Sequence, residues 1–117
     1  LINLNNQNAP ALKVVYCASF LCRLKGLMFT PSISPESGLL LVEQAESRIN
    51  SAIHMFFMRY DITVVWLDKD LRVVDVKIAR KWQPYYAPAA PARFTLETNK
   101  INFPFYKIGD HLQVSDA

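Results

Sequence analysis

The residues of this chain that could do chemistry are few and scattered along it. His54 stands in the run Ile53-His54-Met55-Phe56-Phe57-Met58-Arg59. A cation close to a histidine disfavours its protonated form, so His54 beside Arg59 reads as a neutral imidazole able to act as base or ligand. The plainer reading is a hydrogen bond to a backbone group at a strand edge. Arg23 could form a bidentate pair with Asp68 or Glu43 that pins a helix to a sheet. It could instead converge with Arg59 on one pocket and hold a carboxylate or phosphate, which the planar guanidinium suits. Asp68 could orient an arginine or act as a general base, but an aspartate in a turn commonly bonds its own backbone. Trp82, Tyr85 and Tyr86 follow Arg80 and Lys81 in a proline-containing stretch. Aromatics interleaved with cations stack on bases or sugars, or form a protein-binding patch. His111, after Gly109-Asp110, reads as a surface residue.

Standard signatures are missing: there is no Gly-rich phosphate loop, no Gly-x-Ser-x-Gly elbow and no His-Glu-x-x-His. Neither a cofactor nor a metal is therefore expected. Cys17 and Cys22 make no Cys-x-x-Cys pattern, so zinc and dithiol redox chemistry find no support in the spacing. Two buried free thiols are the expectation, with a disulfide as the alternative and an activated Cys22 thiol a weaker one.

The elements that must position these residues are short. Residues 1–10 are rich in Asn and end at Pro10, which reads as a flexible lead-in, with a single domain over 11–117. Leu12 to Tyr16 has strand composition. Ser19 can cap a short helix carrying Phe20, Leu21, Leu24 and Leu27, and Gly26 can stop it. Thr30 to Gly38 is loop chemistry, delivering a strand at Leu39 to Glu43. Ile53 to Met58 and Ile62 to Leu67 are apolar runs of strand length. Asp68, Lys69 and Asp70 make a turn into Val74, Val76 and Ile78, whose period of two predicts a hairpin. Arg80 to Pro91 is irregular, Phe94 and Leu96 alternate with Thr95 and Glu97, and a last strand is expected at Leu112 to Val114. The connections are too brief for repeated helical crossovers. The fold class is mainly β, a compact antiparallel sandwich or barrel-like single domain with one or two short helices.

Composition agrees: the chain of 117 residues is 51% hydrophobic and 20% charged, as a folding domain should be. A net charge of +3 biases encounters toward anions. It supplies no dense cationic stripe, and nucleic acid is not the expected partner. No apolar run approaches the roughly 20 residues that cross a bilayer as a helix. The chain begins at Leu1, as expected of one trimmed of a leader or of a longer parent, and compartment and oligomeric state stay open.

Three ordered blocks carry a resemblance. They are Arg23-Leu24-Lys25-Gly26-Leu27-Met28 with Gly38-Leu39-Leu40, then Ile53 to Arg59 running into Ile62-Thr63-Val64-Val65-Trp66-Leu67-Asp68, then Ala92-Arg93-Phe94-Thr95-Leu96-Glu97 with Ile108-Gly109-Asp110. Together they resemble the domain of unknown function 192 family from about residue 11 onward. The resemblance implies a compact, mainly β domain of bacterial and archaeal proteins and assigns no activity. The chain departs from the family pattern where Asp61 replaces a proline, where Asp70 or Leu71 replaces a glycine, and where Thr98-Asn99-Lys100 replaces another glycine.

The functional expectation is a binding module for a small anionic ligand or a partner polypeptide, at a shallow site of Arg23, His54, Arg59, Asp68, Trp82 and Tyr85. The rival expectation is a small hydrolase or lyase with His54 as base and Arg23 or Arg59 stabilising negative charge. A third is an accessory domain of a larger protein.

Overall fold

A computed structural model describes residues 1–28 and 30–115. Seven strands and two short helices are formed by these residues: β1 Ile2–Asn3, β2 Lys13–Cys17, α1 Phe20–Lys25, β3 Ser37–Ser47, β4 Ile62–Leu67, β5 Val73–Ala79, β6 Ala92–Asn99, the 3-10 helix Lys100–Phe105 and β7 Leu112–Gln113. Five strands make one sheet in the order β2-β3-β6-β4-β5, and β1 pairs antiparallel with β7 in a second. The mainly β, single-domain architecture is thus as the sequence implies. One pair departs from the antiparallel rule: β2 and β3 are parallel, and α1 makes the crossover between them. A parallel pair needs such a crossover because its two strands start at the same end of the sheet.

The main sheet is covered on both faces. Alternation sends Leu40, Val65, Leu67 and Leu96 into one cluster with Leu12, Val73, Tyr106 and Leu112. The opposite face carries Val64 and Trp66, packed with Met55, Met58, Ile62, Ala79 and Ala92. Leu39 and Leu41 pack on this second side with Cys17, Cys22 and Leu27, which seats the helix crossover on it. Every residue of β4 is therefore buried, and Trp66 satisfies its indole N–H on the Ser51 carbonyl at 2.8 Å.

The short helix is capped as expected, with Ser19 Oγ accepting from the Cys22 amide and Gly26 ending it at φ 49°. The β4–β5 hairpin also forms, with Thr63 opposite Ile78 and Val65 opposite Val76. In its turn the glycine-like conformation falls on Leu71, at φ 63°.

Three expectations are corrected. Residues 2–3 belong to a strand, and Asn3 is buried, donating to the Phe105 carbonyl and to Asp110, so this part of the lead-in is tied down. Cys17 and Cys22 form a disulfide with their Cα atoms 5.5 Å apart, because α1 turns back at once over the end of β2. Ile53 to Met58 forms no strand beyond a single bridge from Ile53 to Tyr86. The buried residues there are Met55 and Met58, three apart, and the Met58 amide bonds back to the Met55 carbonyl in a turn.

Candidate functional site

Over the second face of the sheet lies a cleft of about 450 Å³, walled by α1 and its exit from Arg23 to Met28, by Asn50 to Met55 with Met58, and floored by Leu41, Thr95 and Glu97. Its size falls in the range of small-molecule sites.

Glu97 is the unexpected member. In β6 it lies in register between Leu39 of β3 and Val64 of β4, so alternation points it at the covered face rather than at water. It is 5% exposed, and its carboxyl has no hydrogen bond or ion pair among the described residues. Burial pushes its pKa up to about 7, because an enclosed carboxylate loses the hydration that stabilises its charge. Gly26 passes directly over it: a Cβ at that position would stand 3.2 Å from Glu97 Oε1. Tyr60 bonds the Thr30 hydroxyl at 2.7 Å. Burial raises its phenol above the usual value, against the Thr30 hydrogen bond that lowers it and with a smaller upward contribution from the Glu97 charge.

Two of the residues read from the sequence, Arg23 and His54, meet in this cleft. Arg23 Nε is 3.3 Å from Glu43 Oε1, and its Nη1 donates to the carbonyls of Ala18 and Val42. It thereby clamps α1 to β3, the structural role foreseen for a pair with Glu43. His54 Nδ1 accepts from the Phe56 amide at 3.3 Å, so Nε2 carries the hydrogen and donates to the Leu24 carbonyl at 3.1 Å. Both ring nitrogens are thus engaged in holding the end of α1 to the 54–56 turn.

The other candidates lie elsewhere. Arg59 and Trp82 line a separate shallow depression with Phe57, Met58 and Lys81, and Met58 borders both cavities. Asp68 sits at the β4–β5 turn and accepts from the amides of Asp70 and Arg72 at 2.8 and 3.0 Å, lining neither cavity. Tyr85 is exposed on the loop beyond Trp82. Among the described residues no three His, Cys, Asp or Glu side chains are grouped as metal ligands, and no helix is long and apolar enough to cross a membrane.

Glu97 does not stand out in the sequence, because its alternation with Phe94 and Leu96 reads as a wet face. The available signal was in its neighbours: Leu39 to Val42 and Val64 to Leu67 are unbroken apolar runs, which mark strands covered on both faces.

Comparison with known proteins agrees with this architecture. A UPF0127 protein of Thermococcus kodakarensis is 42% identical over 97 residues, which are 83% of this chain and 60% of that protein, so the chain spans less than two thirds of its length. UPF0127 proteins of Thermococcus sibiricus and Pyrococcus furiosus are 36% and 30% identical over 96% and 97% of this chain, and over 72% and 96% of their own lengths. These sequence relatives are archaeal and not bacterial, whereas the expectation named bacterial as well as archaeal proteins. A crystal structure of a Novosphingobium aromaticivorans protein of unknown function superimposes with a TM-score of 0.78 at 18% identity, over 88% of this chain and 75% of that one. A Sinorhizobium meliloti protein, provisionally described as a transcription regulator, gives 0.79 at 18% identity over 87% and 81%. The profile of the domain of unknown function 192 family, described as an uncharacterized ACR, matches residues 2–114, and the chain belongs to that family.

Proposed function

We propose that the domain binds a small organic molecule in the cleft between α1 and the sheet, with a nitrogen donor of the ligand on Glu97 and an apolar body against Leu27, Met55 and Met58. The observation that supports this reading is the buried Glu97 carboxyl, unpaired among the described residues and facing a cavity. Burying a polar group without a partner costs stability, and a ligand supplying an ammonium or amide N–H would recover it. The anionic ligand expected from the arginines suits this cleft less well, because Arg23 is already paired with Glu43. A charge-assisted hydrogen bond contributes roughly 1.5–3 kcal/mol, about ten- to a hundredfold in affinity.

The test is a thermal-shift screen in which primary amines, amides and carboxylates are compared on wild type and Glu97→Gln. Amine-bearing compounds should raise the melting temperature of wild type and do so much less in the variant. Shifts produced only by anions and unchanged in Glu97→Gln would overturn the reading.

A second reading, a proton-transfer enzyme, draws on the same carboxyl. An acid or base works best with a pKa near the working pH, and Glu97 meets that condition at about 7. His54 suits the role less, since both its nitrogens are engaged. Turnover of a bound compound by wild type, lost in Glu97→Gln while binding persists, would distinguish it from simple binding.

A further inference from the structure

Phe57 and Trp82 are two bulky residues in the left-handed backbone region, at φ 61° and 68°. That conformation is strained for side chains of this size and persists only where the surroundings impose it. Here the surroundings are two facing loops tied by backbone hydrogen bonds. The Trp82 amide donates to the Met55 carbonyl at 2.8 Å and the Met55 amide to Gln83 at 3.0 Å, while Ile53 and Tyr86 exchange bonds of 2.8 and 2.9 Å. The result is an aromatic corner, the rings 5.1 Å apart and inclined at 62°, with Phe57 48% and Trp82 54% exposed.

Arg59 and Lys81 line the depression beside the corner with Met58, and neither side chain forms an ion pair among the described residues. The nearby Asp61 carboxylate accepts the Lys81 amide on one oxygen at 2.8 Å and forms no ion pair with either side chain among the described residues. The paired loops therefore hold an apolar notch beside two cations that form no ion pair among the described residues.

We infer that this corner is a docking site for an acidic polypeptide segment carrying a bulky apolar side chain, separate from the Glu97 cleft. The apolar side chain sits in the angle of the rings, and carboxylates meet Arg59 and Lys81, where the guanidinium gives a forked contact. Inclined rings form an angle rather than parallel platforms, and two cations make a small footprint for a phosphate backbone, so polypeptide is favoured over single-stranded nucleic acid.

The test uses a short, fluorescein-labelled, glutamate-rich peptide with one phenylalanine, followed by anisotropy on the intact protein. Binding should occur at low salt, fall with added salt, and weaken by roughly tenfold or more in the double variant Arg59→Glu, Lys81→Glu. Trp82→Gly should weaken it as well while raising the melting temperature, since glycine relieves the left-handed strain. Glu97→Gln should leave it unchanged, which keeps this outcome distinct from that of the cleft. No binding, binding that survives the charge reversal, or loss of binding in Glu97→Gln would overturn the assignment. So would charge-dependent binding of oligothymidine or phosphatidylserine vesicles without binding of the peptide.

Discussion

A carboxyl group enclosed by strand neighbours and helix backbone must shed its charge or find a partner, and Glu97 holds its proton to about pH 7 against an ordinary value of 4.5. Between those values the unfolded chain has released this proton and the fold has not. The Glu97 contribution to stability is therefore full below the lower value and declines as pH rises through the upper one, by about 3 kcal/mol in total. Glu97→Gln should match wild type near pH 4 and exceed it by about 3 kcal/mol near pH 8, as read from urea midpoints across pH. Parallel profiles would show that the carboxyl is not held uncharged. Tyr106 offers a second measurement at this scale. Its hydroxyl is buried without a hydrogen-bond partner among the described residues, and burial pushes its pKa up to about 12. Tyr106→Phe deletes only the unsatisfied group, so urea unfolding should show no loss and a gain of up to about 1 kcal/mol. A loss of similar size would mean that the hydroxyl has a partner.

At the scale of elements, α1 has six residues, too few to hold a helix unaided. Its geometry rests on the Ser19 cap, the Cys17–Cys22 bond, the Arg23 clamp to Glu43 and the His54 bond to Leu24. Replacing both cysteines with serine should lower stability by about 2 kcal/mol. The backbone amides of residues 20–28 should exchange faster in that variant than those of β4, and uniform exchange would show that α1 does not depend on the crosslink. The helix was legible in the sequence because Ser19 and Gly26 punctuate it, and the β4–β5 hairpin because Val74, Val76 and Ile78 alternate with polar residues. The disulfide was not, since five positions of separation say nothing of distance until the crossover over β2 is known. The segment from Ile53 to Met58 misled because a short apolar run looks the same as a strand or as a turn laid on a core.

At the scale of the molecule, what escaped the sequence was which strand faces are covered. With one face in water, Thr95 and Glu97 would be solvated and inert; with α1 and residues 50–58 lying over them, they become the floor of a cleft. Arg23 and His54 were found by residue type and do meet there, whereas Arg59 and Trp82 gather in the neighbouring depression. No local pattern divides these candidates, because the division comes from the path of two loops. The small second sheet has a bearing of its own on how the domain can be carried. Since Ile2 lies opposite Gln113 and Asn3 opposite Leu112, the polypeptide enters and leaves the fold at one point on its surface. Splicing this unit into a loop of another protein would scarcely spread the loop's ends, and joining its own ends while opening the exposed Lys69–Asp70 turn would leave each pairing of the five-stranded sheet in place.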